Sequence, residues 1–270
     1  MIRLEKISKS FGDQVVFKEL DLTIEKGETT VILGPSGTGK SVLLKHIVGL
    51  LKPDSGRVYL DGQDITDLSG RAREPLMHRF GFVFQNSALF DSMNVFDNLA
   101  FGLRENHLCA HSEIPARVAR ELERVELPGI EEKMPAELSG GMQKRVGLAR
   151  ATIMEPEIIL YDEPTTGLDP LTTVHINRLI VRAKEELDST VVIVTHDVKS
   201  ALEMADRIAF LADGRLVAVG SPAELCANPE PRLQEFLNAR GDVCEHPAGK
   251  GEEAGVGRRR VAESELPGSM

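Results

Sequence analysis

The first third of the chain alternates short β-like apolar runs with turns. Residues 2–7 and 16–24 read as strands, and Thr29–Leu33 reads as a fully buried strand entering a glycine-rich turn. Helical spacing follows over 41–48, then strands over 56–60, closed by an Asp61-Gly62 turn, and over 80–85. From about Asn86 to Glu155 the pattern changes to charged amphipathic helices, clearest over 117–125 and 141–154. Strands return at Ile158–Asp162, 191–195, 208–211 and 216–219, separated by helices such as 171–187. This order predicts an α/β fold with a helical insertion at about 86–157. After Arg240 apolar periodicity stops, so a domain over 1–240 and a disordered tail over 241–270 are expected.

Composition narrows the class. Of 270 residues, 41% are hydrophobic and 27% charged, which excludes wholesale disorder. No apolar run approaches the roughly 18 residues that a membrane-crossing helix needs. The N-terminal MIRLEKISKSFG lacks an apolar signal core, so a cytoplasmic location is expected. The net charge is −10, which together with 4% aromatics and no Trp weighs against a nucleic-acid partner. Cys109, Cys226 and Cys244 lie far apart without metal-ligand spacing and read as reduced, incidental thiols.

One run carries specific chemistry. Gly34-Pro35-Ser36-Gly37-Thr38-Gly39-Lys40-Ser41 matches G-x-x-x-x-G-K-[ST] and stands between a strand and a helix, the context this phosphate loop requires. Its glycines let backbone N–H groups converge on phosphate oxygens at a helix N-terminus. Lys40 is expected to reach the β- and γ-phosphates of a nucleoside triphosphate, and Ser41 to offer its hydroxyl to Mg²⁺. The apolar run 158–161 then ends in Asp162 and Glu163. There Asp162 is expected to hold Mg²⁺, and Glu163 to orient or deprotonate the attacking water.

Leu138-Ser139-Gly140-Gly141-Met142 opens a helix shortly before that strand and resembles the signature motif of ATP-binding cassette (ABC) ATPases. Gln85 at a strand end, Gly167-Leu168-Asp169, and Thr195-His196-Asp197 follow the family's order, and Phe11 stands where its adenine-stacking aromatic is expected. The resemblance implies a P-loop NTPase fold with a RecA-like core, an antiparallel β subdomain and an α-helical subdomain. It also implies that His196 contacts the γ-phosphate and that Gln85 senses Mg²⁺. Ser139, Gly140 and Gly141 would cap ATP held by a second copy in a head-to-tail homodimer, with Asp169 at the seam. Met142 and Phe11 depart from the family's usual Gln and Tyr, and neither departure removes a phosphate ligand.

The stretches 87–105 and 138–151 further resemble the ATPases of Mla/Mce-type lipid transport systems, as do 227–232 and 234–237 near the end of the core. That resemblance implies a peripheral protein on the cytoplasmic face of the inner membrane, bound to a permease and an MCE-domain protein. The Phe90, Met93 and Phe96 group beside Gln85 is the expected docking surface, and residues 231–240 are expected to reach the neighbouring ATPase. Alternatives are an ABC ATPase serving another cargo, a divisome-type mechanotransmitter, or a soluble ABC protein acting on DNA or ribosomes. A catalytically dead binding module is disfavoured because Lys40, Ser41, Asp162, Glu163 and His196 are all present. Arg258–Arg260 in the tail read as a solvated charge run.

Overall fold

The computed structural model describes residues 1–239 and Cys244; apart from Cys244, the expected tail over 241–270, with Arg258–Arg260, lies outside the described residues. The chain opens with strands β1 (Ile2–Phe11), β2 (Gln14–Ile24) and β3 (Thr29–Leu33), followed by helix α1 (Lys40–Ile47). Strands β4 (Ser55–Leu60) and β5 (Gln63–Asp64), a short helix α2 (Glu74–Met77) and β6 (Phe80–Val83) come next. Helices α3 (Val95–Glu105), α4 (Ile114–Arg124) and α5 (Gly140–Thr152) fill the stretch before β7 (Ile158–Asp162). The remainder alternates as α6 (Pro170–Leu187), β8 (Thr190–Thr195), α7 (Val198–Met204), β9 (Arg207–Ala212), β10 (Arg215–Gly220), α8 (Pro222–Ala227) and α9 (Pro231–Asn238).

Two sheets result. A six-stranded sheet has the order β10-β9-β3-β8-β7-β6, parallel from β9 to β6, with β10 antiparallel at the edge. An antiparallel sheet has the order β2-β1-β4-β5. The larger sheet is covered on both faces, which explains its continuous apolar strands. Val31, Leu33, Ile159, Tyr161, Val191 and Ile193 point into a core shared with α3–α6. Their neighbours Ile32, Ile158, Leu160, Val192 and Val194 point into a second core, closed by α1 and the antiparallel sheet. Among the described residues no helix is long and apolar enough to cross a membrane.

Two expectations need correction. Cys226 and Cys244 are not separate thiols: a disulfide joins them, and only Cys109 is free. A sequence separation of 18 hid this, since only the fold sets Cys226 of α8 and Cys244 at a Cα–Cα distance of 5.6 Å. The strand expected over 80–85 stops at Val83. Phe84 is apolar enough to extend the pattern, yet it is 37% exposed with its ring against Phe82.

Candidate functional site

Sheet order assembles the site. Strands β3, β8, β7 and β6 are neighbours, and each points its carboxyl end the same way, where open α/β sheets bind ligands. The loop after β3 carries Lys40 and Ser41, β8 leads to His196, β7 ends in Asp162 and Glu163, and β6 leads to Gln85. Residues distant in sequence therefore share one cavity of about 390 Å³. Its lining includes Ser36, Gly37, Gly39, Lys40, Ser41, Gln85, Glu163 and His196.

The loop's glycines are required sterically. Gly39 has φ +94°, and a Cβ there would meet Val16 Cγ1 at 2.5 Å and Phe17 Cε1 at 3.0 Å. A Cβ on Gly34 would meet the Leu211 carbonyl oxygen at 2.2 Å. Pro35 and Thr38 hold the turn between them, Thr38 Oγ1 donating to the Pro35 carbonyl at 2.9 Å. Gly39 also starts α1 without a side-chain cap, whereas Ser139, Asp169, Asp197 and Ser221 cap the helices they precede. The first N–H groups of α1 are thus left for an anion, and a triphosphate fits that donor set.

Charge is concentrated at the cavity floor. Lys40 Nζ donates to the carbonyls of Gly34 and Pro35, both at 2.9 Å, and lies 3.6 Å from Glu163 Oε1. Burial holds its ammonium below the ordinary lysine range, against the opposing pull of Glu163. Ser41 Oγ donates to Asp162 Oδ1 at 2.7 Å. Burial pushes the Asp162 carboxyl up, and this hydroxyl offsets part of the rise. Ser41 and Asp162 pair their oxygens, and Gln85 lines the same cavity as Ser41, so these residues could offer oxygen donors to a hard cation such as Mg²⁺. Glu163 Oε2 lies 2.9 Å from His196 Nδ1 and accepts from Thr166 Oγ1 at 3.0 Å.

Ser139, Gly140 and Gly141 line a different cavity, of about 520 Å³, together with Asp169, Leu171 and Thr172. None of its lining residues belongs to the first cavity. Ser139 Oγ caps α5 by accepting from the Met142 N–H at 3.3 Å. Gly141 lets α6 approach, since a Cβ there would meet Thr172 Cγ2 at 2.9 Å. Asp169 caps α6 through the N–H groups of Leu171 and Thr172, and Leu171 beside it is 84% exposed.

Phe11 is not brought to the first cavity: it is 49% exposed at the end of β1, with the Lys9 ammonium 5.4 Å from its ring centre. The β1–β2 hairpin nonetheless touches the phosphate loop through Val16 and Phe17. Of the expected docking group, Phe90 is exposed and packs on Phe101 at 5.1 Å between centroids, while Met93 and Phe96 are half-buried. Two residues here escaped the sequence reading. Thr166 could have been found from its place three residues after Glu163, whereas buried Lys144 carries no signal, because a lysine in a helix reads as surface.

Comparison with known proteins adds the following. The family model described as "ABC transporter" matches residues 17–166. The chain is 44% identical over 239 residues to the probable ribonucleotide transport ATP-binding protein mkl of Mycobacterium tuberculosis, covering 88% of this chain and 67% of that protein. It is 41% identical over 247 residues to the intermembrane phospholipid transport system ATP-binding protein MlaF of Escherichia coli, covering 90% of both chains. Its fold superposes with a TM-score of 0.76 on an ATP-binding cassette solved as a dimer in a post-hydrolysis state with ADP and Pi. That match is 35% identical and covers 82% of this chain and 99% of the cassette.

Proposed function

The chain belongs to the ABC transporter family and is an ATPase of it, and from that membership we propose that it powers phospholipid transport across the cell envelope. The observation that carries the cargo is the 41% identity to a phospholipid-transport ATPase, which spans 90% of both proteins. The mycobacterial ribonucleotide-transport relative matches over only 67% of its length and favours a second reading, another cargo on the same engine.

Family membership assigns the hydrolytic roles, and the cavity's geometry supports those of Lys40, Ser41 and Glu163. Backbone N–H groups of 34–41 and the N-terminus of α1 bind the phosphates, and Lys40 exchanges its Glu163 contact for the β- and γ-phosphates. Ser41, Asp162 and Gln85 would hold Mg²⁺, which when bound neutralises charge across the β- and γ-phosphate oxygens. Glu163, oriented by Thr166 and His196, accepts the proton of the attacking water. By the family resemblance His196 contacts the γ-phosphate, and Phe11, which lies outside the cavity with its ring exposed, stacks on the adenine.

The separate cavities support a homodimer. Ser139, Gly140 and Gly141 form a phosphate cradle remote from the chain's own phosphate loop, so a twofold-related second copy completes both sites. Leu171 and Asp169 border that cradle and belong to the seam. An integral-membrane permease docks beside Gln85 at Phe90, Met93 and Phe96. An MCE-domain protein carries the lipid, and the ATPase stays peripheral on the cytoplasmic face.

Purification of the native complex, followed by mass spectrometry of its proteins and lipids, tests this reading. A permease, an MCE-domain protein and phospholipid are expected. A permease without an MCE-domain partner and without bound lipid would move the assignment to another cargo.

A further inference from the structure

Lys144 occupies the middle of α5 and is 9% exposed. Its ammonium donates to the backbone carbonyl of Gln85 and, at 3.5 Å, to the backbone carbonyl of Glu163. Burying an ammonium group is costly unless it is hydrogen-bonded, and here the two acceptors belong to the two loops that flank the ATP cavity.

Both loops carry unusual backbone conformations. Glu163 has φ +48°, and Ser87 and Ala88 beside Gln85 have φ +59° and +46°. Non-glycine residues hold such angles only where the surroundings over-determine them. Glu163 is held on one side by its N–H, which donates to the Val194 carbonyl at 2.9 Å, and on the other by its carbonyl, which accepts from the Thr166 N–H at 3.3 Å and from Lys144. Further along α5, Arg150 donates to the carbonyls of Ser87 at 3.0 Å and Ala88 at 2.7 Å. Between them Gly147 lets the loop approach, since a Cβ there would stand 3.1 Å from Ser87 Cβ.

We propose that Lys144 is a positioning residue for hydrolysis, which ties the Gln85 loop to the backbone of Glu163 and so fixes the spacing of their side chains across the cavity. The proposal rests on the hydrolytic roles given above to Gln85 and Glu163.

The test compares Lys144→Met, which keeps length but removes the donor, with Lys144→Gln, which keeps a shorter donor, in the full chain. Hydrogen exchange of the nucleotide-free protein is read over 84–88 and 163–166. In the Met variant these segments are expected to exchange about tenfold faster, the scale of one lost hydrogen bond to a charged group, with the Gln variant in between. Steady-state kcat of the Met variant should fall about tenfold while KM for ATP stays within about threefold, as for an interaction that acts only in the transition state. Wild-type exchange in both segments of the Met variant overturns the proposal. So does exchange that rises evenly over the whole chain in both variants, because Lys144 would then be an ordinary core residue. A Glu163→Gln protein that still hydrolyses ATP would remove the catalytic reading and leave the exchange result standing. Normal exchange in Lys144→Met with an inactive Glu163→Gln would remove only the proposal.

Discussion

Glu163→Gln separates two effects that the nucleotide-free cavity combines. The amide has the carboxylate's shape and keeps an acceptor for Thr166 Oγ1, now 3.0 Å from Glu163 Oε2. It loses the negative charge that faces Lys40 at 3.6 Å and the capacity to take a proton. Coulomb's law at an effective dielectric of about 20 gives about 4–5 kcal/mol for unit charges at that separation, before desolvation is counted. Both partners are buried, so desolvation returns most of this, leaving a net contact of about 1–2 kcal/mol. ATP must displace that contact to reach Lys40. Its removal should therefore tighten ATP binding by about tenfold, since 1.4 kcal/mol is one decade. Turnover should fall by about 10²–10⁴, the usual contribution of a general base. Equilibrium titration with a fluorescent ATP analogue and steady-state phosphate release read the two effects independently. Undiminished hydrolysis would refute the role of Glu163; weaker nucleotide binding would refute the competition between Glu163 and phosphate for Lys40.

Gly39→Ala is expected to destabilise the fold by about 2–4 kcal/mol, combining left-handed backbone strain with overpacking against Val16 and Phe17, and chemical denaturation measures it. Glu121, buried in α4 beside Thr152 and Arg124, has its carboxyl pushed above the ordinary value of 4.5 by burial. Its stabilising contribution is full below the unfolded pKa and is lost as pH rises through the folded one. The melting temperature of Glu121→Gln relative to wild type should thus climb with pH above about 4.5, and a flat difference would contradict the burial argument. Under denaturing, non-reducing conditions one thiol, Cys109, should react with a thiol reagent; three would mean that Cys226 and Cys244 are reduced. Reduction should also cost about 3 kcal/mol of stability, the scale for closing a loop of this length.

The parallel strands were the most legible part of the chain because both faces of their sheet are covered. Thr29–Leu33 and Ile158–Asp162 are buried at every position, with apolar runs over 31–33 and 158–161, and keep the boundaries the pattern predicts. β1 runs four residues beyond its expected end, to Phe11, because its far half alternates Lys and Ser along a sheet with register shifts. Short Gln63–Asp64 shows no periodicity at all, and only pairing with Tyr59 and Leu60 makes it a strand.

Site residues divide by the same physics. Lys40, Ser41, Asp162, Glu163 and His196 stand out as candidates in the sequence because each stands at the end of an apolar strand or in a glycine loop, where chain geometry limits what a polar residue can do. What brings them together, the order β3-β8-β7-β6, is set by long-range pairing that no local pattern encodes. Lys144 is illegible for a different reason. The neighbours Gln143, Lys144 and Arg145 look like one solvated run, yet only Lys144 is turned into the space between β6 and β7 loops that lie far away in sequence. A buried charge of this kind becomes visible only when its acceptors do. Here those acceptors are backbone carbonyls, which any sequence supplies, so the position is specified by the fold and not by a motif.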